Sequence, residues 1–441
     1  MKHLKALLLV PVLLALLAGT AFAKGTKPQA GLDPSFGRGG STTVAVPKGE
    51  EPIHGFVVAD DGRVYVLRAS NLFAFEPDGK VARDFGKNGR ITVKPAIGEG
   101  EPRALAVDSK GRVLVVGSTY LGTQRRTGAQ PLTAESAEIV DAYTVRLLLE
   151  GSRDVTFGNG GEVDTDFGLP RAAAGFEKPS VWATSIAVDS QDRPVIGGAY
   201  MNSPELCSGY LAGTRAPFVG RLTASGAVDP TFAGAGHAFP AGPGEVTALA
   251  QTLGGGLATL SRGWSCGARS EEEPSHFSAF TETGEASPSL DPTRPSFYMT
   301  SAMTIDPEGR ILVLQRPPLG SEQQGTLVRL QPNGDLDTSF GQNGGVAYAG
   351  GLSGLGSSFT VDAKSRPILA GGTEQIEVKR LRVNGKIDRG FSPNGRLTEK
   401  GARAEGVALD ARGRIYTVDT VLSSTLKTGV GVQVTRFLPG S

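Results

Sequence analysis

The sequence predicts an all-β fold. It is a seven-bladed β-propeller of four-stranded antiparallel blades, its ring closed by an N-terminal strand that completes the C-terminal blade. Three observations predict it. A corner motif returns at distant places, as "LDPSFGRGG" at 32–40, "VDPTFAGAG" at 228–236 and "LDTSFGQNGG" at 336–345. Three landmarks recur seven times in one order. At a fixed place in each unit stands a small residue, as strands converging on a crowded axis demand.

The chain opens on a secretory leader, 1–23. Lys2 and Lys5 precede an apolar stretch at 6–17, and Ala21-Phe22-Ala23 supplies the small-residue end, with cleavage expected before Lys24. The stretch is short for a membrane span, and no later segment reads as one. Residues 24–31 form a linker and 32–441 the single propeller domain. The protein is expected to be secreted or periplasmic.

Within the propeller, the first landmark centres on Phe36, Phe85, Phe157, Phe232, Leu290, Phe340 and Phe391, spaced by 49, 72, 75, 58, 50 and 51 residues. The second is a strand, a tight turn and a strand, as in "AVDSKGRVLVV" and "TIDPEGRILVL". The third is a strand ending in a turn, as in "VRLQPNGD". An Arg follows the second-landmark turn in six units (Arg63, Arg112, Arg193, Arg310, Arg366, Arg414), and Gly255 stands there in the fourth. Its recurrence points to structure: a guanidinium can bond a carboxylate or carbonyl of its own or the next unit.

Counting back four residues from each turn gives Gly55, Ala104, Ser185, Thr247, Ala302, Ser358 and Gly406. This places that strand innermost. The last unit stops after its third strand, while the mature N-terminus begins with an unpaired corner motif and "STTVAV". Residues from about 32 to 47 are therefore expected to supply the missing outer strand, which leaves no open edge. Whether "LDPSF" or "TTVAV" forms it stays open at this level.

The pattern L-D-x-S-F-G-x-x-G, then an apolar strand, D-x-x-G-R and R-L-x-x-x-G resembles the delta-60 repeat family of bacterial β-propellers, over nearly all of the mature chain. The resemblance implies a propeller outside the cytoplasm. It brings no catalytic residues to transfer.

Without Lys2 and Lys5, 43 basic residues face 44 acidic ones, so nothing favours nucleic acid or an anionic surface. "GWSCG" at 263–267 matches G-x-S-x-G, but no helical pattern follows it, as a nucleophile elbow requires. Cys207 and Cys266 follow the second strands of the third and fourth units, 59 residues apart, and are expected to form a disulfide in an exported protein. The same loop is long in the second unit and enlarged in the third and fourth, and variable loops on a rigid scaffold are where binding is built.

Five residues before each turn, at the channel mouth, come His54, Arg103, Thr184, Val246, Ser301, Ser357 and Glu405. Six are polar. Glu405, His54 and Arg103 belong to neighbouring blades of a closed ring, and together they could hold a small polar ligand. The alternative is a water-filled channel lined by whatever fits. The aspartates Asp33, Asp154, Asp229, Asp337 and Asp388 recur by repeat position and read as turn-formers. No cofactor and no metal is expected.

Two functions compete. One is a non-enzymatic binding scaffold for a protein or glycan partner or an envelope component, monomeric, using the long-loop face of blades two to four. The other is a propeller hydrolase or lyase with Glu405 or His54 as acid or base.

Overall fold

The computed structural model describes residues 30–440 apart from 47–51, 126–135, 171–177, 204–213, 264–274, 288–299, 316–324, 349–357, 373–374, 393, 401–403, 423–425 and 427–428. The leader, Cys207, Cys266, Leu290 and Ser357 lie outside the described residues.

Among the described residues, twenty-seven strands form seven separate antiparallel sheets. Blade 1 runs from hub to rim as Ile53–Val58, Val64–Arg68, Asn71–Phe75 and Arg90–Thr92. Blades 2, 3, 5 and 6 repeat this order, and blade 4 shows three strands among the described residues. Blade 7 combines Gly406–Leu409, Ile415–Leu422 and Val430–Phe437 with Ser41–Ala45, which pairs from Ser41 against Thr435 to Ala45 against Gly431. "STTVA" is thus the outer strand, and "LDPSF" is the corner before it. Each first strand touches those of both neighbouring blades, blade 7 meeting blade 1, so the ring is closed.

The core is divided among the seven blade interfaces. Val113 and Val115 pack with Tyr65 and Leu67 of blade 1, while Leu114 and Val116, on the other face of the same strand, pack with Ile196 of blade 3. A strand buried on both faces reads as a continuous apolar run, which is why "VLVV" does not alternate. The corner phenylalanines Phe36, Phe85, Phe157, Phe232, Phe340 and Phe391 are all buried. After four of them the chain turns back sharply: Gly37, Gly86, Gly158 and Gly341 take φ between 51° and 61°, a region open to glycine at no steric cost.

The D-x-x-G-R turns close on themselves. The Asp108 carboxylate accepts the backbone N–H groups of Lys110 and Arg112 and the Arg112 Nε, the last at 2.6 Å. Asp189, Asp306, Asp362 and Asp410 do the same. The turn Arg therefore serves its own turn first.

Blade 4 corrects the repeat alignment by one residue. Its turn is closed by the Thr252 N–H on the Gly256 carbonyl, as Asp108 N–H closes on the Arg112 carbonyl in blade 2. Gly256, not Gly255, therefore stands in the place of the turn Arg. The small hub residue becomes Ala248, and Thr247 moves to the mouth position that Val246 was expected to hold.

Candidate functional site

The mouth residues share one backbone device. Opposite the blade 1 second strand, Ile53 pairs with Arg68 and Gly55 with Leu67, so the strand register skips His54. Arg103, Thr184, Thr247 and Ser301 are skipped in the same way in blades 2 to 5. A bulge of this kind re-aims the extra side chain. In blade 3 the Thr184 hydroxyl donates to Val246 carbonyl at 2.5 Å and to Gly197 carbonyl at 3.1 Å. In blade 4 Thr247 donates to Leu260 carbonyl at 3.2 Å.

Two of the expected mouth residues, Arg103 and Thr184, meet in one groove of about 830 Å³ where blades 2, 3 and 4 adjoin. His54 and Glu405 are not among its described lining residues. The Glu405 carboxylate instead accepts the Thr420 N–H of its own blade at 3.1 Å.

Blade 2 supplies one wall. Its second and third strands are long, Val113–Arg125 and Ser136–Leu147, and pair from Val113 against Leu147 to Arg125 against Ser136. The segment expected as a long loop is thus largely a hairpin projecting past the blade. It carries Ser118, Tyr120, Glu138 and Val140 to the groove, and the first strand of the blade adds Glu99, Glu101 and Arg103. The Arg103 guanidinium holds Glu101 at 2.7 Å.

Blades 3 and 4 supply the floor and far wall. The Arg215 guanidinium lies over the Trp182 ring, 4.3 Å from its centroid, and reaches Glu245 of blade 4 at 3.6 Å. Arg262 grips the same Glu245 at 2.8 Å. Burial lowers the Arg215 pKa below its ordinary value, and the charges of Glu245 and Glu138 offset this only in part. A cation held on an indole face in a half-buried site gains from the ring quadrupole.

Two glycines shape this place. An added Cβ on Gly117 would stand 2.1 Å from the Glu101 carbonyl oxygen, and one on Gly198 would stand 1.9 Å from that of Trp182. Both sit on second strands opposite the bulges of Arg103 and Thr184. The corresponding places in blades 1, 4 and 5 hold Arg68, Ser261 and Gln315. The close approach belongs to the two blades that meet at the groove.

Trp182, Arg215, Tyr120 and Glu245 were not singled out by sequence reasoning. The available signal was the enlargement of units two to four, which marked the face but not the residues.

Residues 319–340 match a family described as a domain of unknown function (DUF5122) β-propeller. That stretch holds the Arg–Leu of the third landmark and the first half of the following corner, up to Phe340. A search of curated proteins gave no match. Among solved structures, the chain is similar to a catalytically inactive virginiamycin B lyase from Staphylococcus aureus with quinupristin, at 11% identity and a TM-score of 0.48, covering 90% of this chain and 98% of that one. It is similar to the WD40 β-propeller domain of Doa1, at 12% identity and a TM-score of 0.44, over 90% and 97% of the two chains. It is also similar to the XC5397 gluconolactonase from Xanthomonas campestris, at 12% identity and a TM-score of 0.35, over 74% and 90%. These likenesses concern the fold alone. No helix among the described residues is long and apolar enough to cross a membrane.

Proposed function

We propose that this chain is an exported, non-enzymatic binding scaffold of the delta-60 repeat type. It holds a protein, a glycan or an envelope component at the face built by blades 2 to 4. The observation that carries this reading is the groove itself. Its volume falls within the range of about 300–1,000 Å³ usual for small-ligand sites. It lies where the strands of blades 2 and 3 are longest, and two aromatic side chains and several charges converge on it.

The hydroxyls lining the groove support binding rather than covalent chemistry. Ser118 Oγ accepts the Ala183 N–H, Tyr120 Oη pairs with Thr123 Oγ1, and Thr184 Oγ1 donates to two carbonyls. Among the described residues, none is hydrogen-bonded to a histidine or carboxylate that could activate it as a nucleophile.

The test compares the wild type with Tyr120→Ala and Trp182→Ala on arrays of glycans and fractionated envelope components. Tyr120 is exposed, so its loss leaves the fold intact. The expected result is that retained components fall at least tenfold in both variants while the unfolding temperature of Tyr120→Ala is unchanged. Undiminished retention by both variants would reject the groove as the binding site.

A further inference from the structure

Away from the groove, one interface between blades is open at the rim. Where the outer strand of blade 7 meets blade 1 lies a recess of about 230 Å³. Val44 and Ala45 line it from blade 7, and Phe73, Val81 and corner residues 87–90 line it from blade 1. Hydrocarbon therefore meets a short polar lip, on which Lys87, Asn88 and Arg90 are exposed. No carboxylate is among the described lining residues. Among the described residues, neither the Lys87 ammonium nor the Arg90 guanidinium has an ion-pair or hydrogen-bond partner.

Blade 2 shows how the same place can be closed. Val81 and Arg153 occupy one repeat position, each bridging back to the last residue of its third strand, Phe75 or Leu147. Arg90 and Glu162 occupy another, each opening its outer strand. In blade 2 these two positions hold an ion pair, Arg153 with Glu162. Glu162 also accepts the Ala96 N–H at 2.7 Å, and Arg153 donates to the Lys94 carbonyl at 2.8 Å, so the pair grips the connection arriving from blade 1. In blade 1 the acid is replaced by Arg90 and its partner by Val81. The pair is gone, a cation stands where the carboxylate was, and the space beside it is lined by apolar side chains.

We propose that this recess binds a small apolar carboxylic acid as its anion, with the hydrocarbon body against Val44, Phe73 and Val81 and the carboxylate between Lys87 and Arg90. The body gains by leaving water, and the carboxylate restores the charge-assisted bonding that blade 2 makes internally. The volume lies below the range of about 300–1,000 Å³ usual for small-ligand sites, which suits a ring or short chain carrying one charged group. An amine of the same shape meets two like charges, and an alcohol gains only from the hydrocarbon. The recess is separate from the groove of blades 2 to 4, and this proposal does not depend on that one.

Calorimetric titration of the intact protein with phenylacetate, phenylethanol and phenylethylamine tests it. Phenylacetate is expected to bind once per chain, about tenfold tighter than the alcohol, with affinity that weakens as salt rises. The amine should give no heat. Each of Lys87→Gln and Arg90→Gln should weaken phenylacetate by about two- to fivefold, and the double variant by about tenfold. Both side chains are exposed, so unfolding temperatures should not move. Val81→Arg combined with Arg90→Glu rebuilds the blade 2 pair inside the recess and should abolish binding, whereas Tyr120→Ala should leave it unchanged. No heat with millimolar phenylacetate, equal affinity for the alcohol, or a Lys87→Gln/Arg90→Gln variant that binds as well as the wild type overturns the proposal. Loss of phenylacetate binding in Tyr120→Ala would move the ligand to the groove and overturn it as well.

Discussion

At the scale of single residues, the surprise is a buried ion pair repeated around the ring. Arg146, on the third strand of blade 2, is 2% exposed; its Nε donates to Asp154 at 2.9 Å. Its Nη1 donates to the Ala224 carbonyl of blade 3 at 2.5 Å, and its guanidinium lies 4.4 Å from the centroid of the corner Phe157. Arg221, Arg329, Arg380 and Arg436 repeat the arrangement with Asp229, Asp337, Asp388 and Asp33, each reaching a carbonyl of the following blade. The corner aspartates are thus turn-formers and ion-pair partners at once: Asp154 Oδ1 takes the Thr156 N–H and hydroxyl while Oδ2 takes Arg146 and Arg112. Blades 1 and 4 lack both partners together, with Ala74 and Ala82 in one and Ala279 and Ser287 in the other. In blade 1, Arg63 reaches across instead, to the Leu149 carbonyl of blade 2 at 3.0 Å. Joint loss is what a buried pair requires, because one partner left alone is an uncompensated charge. Asp154→Ala alone should cost about 3–5 kcal/mol in chemical unfolding. Arg146→Ala with Asp154→Ala should cost less than the sum of the singles, by a coupling of about 1–3 kcal/mol. Strict additivity would show that the pair is not a unit.

At the scale of the blade, much was legible because each repeat states its own rules. The corner Phe, the D-x-x-G-R turn and the small hub residue fix strand order and register, since their reasons are local and steric. Arg146 and its counterparts escaped notice, because an Arg before Leu in a strand reads as a solvent-facing side chain until a partner eight residues on is known to fold over it. The one-residue shift in blade 4 escaped because "QTLGGG" offers several places for the turn, and only the Thr252–Gly256 hydrogen bond chooses among them. The groove escaped because its walls come from three blades, so no single repeat contains it. Gly117 and Gly198 show the consequence. Neither has a positive φ, so substitution there is not a backbone-conformation problem but a collision with the bulge carbonyls of Glu101 and Trp182. Gly198→Ala is expected to cost about 1–3 kcal/mol, as overpacking does, and to displace Trp182. Thermal unfolding gives the first, and a shift in the Trp182 fluorescence, read in a Trp264→Phe background, gives the second. An unshifted emission with wild-type stability would mean that the bulge yields without strain.

For the whole ring, stability against pH follows from where the buried carboxylates sit. Asp33, Asp154, Asp229 and Asp337 belong to the corners of blades 7, 2, 3 and 5 and are all nearly fully buried. Burial alone would raise them, but hydrogen bonds from the residue two further on and the paired Arg outweigh it and hold each below the ordinary value of 3.8. Their stabilisation is complete above that value and is lost as pH falls through the lower folded values, when the folded state must take up protons it binds more weakly than the unfolded chain does. Asp164, on the outer strand of blade 2, acts in the opposite sense. Loss of hydration around its carboxyl, and then the charge of the adjacent Glu162, push it up to about 7. The unfolded chain releases that proton near 3.8 and the folded chain keeps it until about 7, so this contribution weakens as pH rises between those values. Asp164 is exposed as a residue, so water screens the effect and its weight is smaller than the shift implies. The two trends define an optimum in the mildly acidic range. The unfolding temperature should drop steeply below about pH 4, as four blades lose their corner pairs together, and decline gently from about pH 4 to 7. Asp164→Asn should flatten the gentle limb and leave the acid limb in place, because the amide keeps the neutral form that folding favours. A scan of unfolding temperature against pH for both chains reads this directly. A gentle limb that persists in Asp164→Asn would assign it to another group, and an acid limb missing from the wild type would mean that the corner pairs carry no net stabilisation.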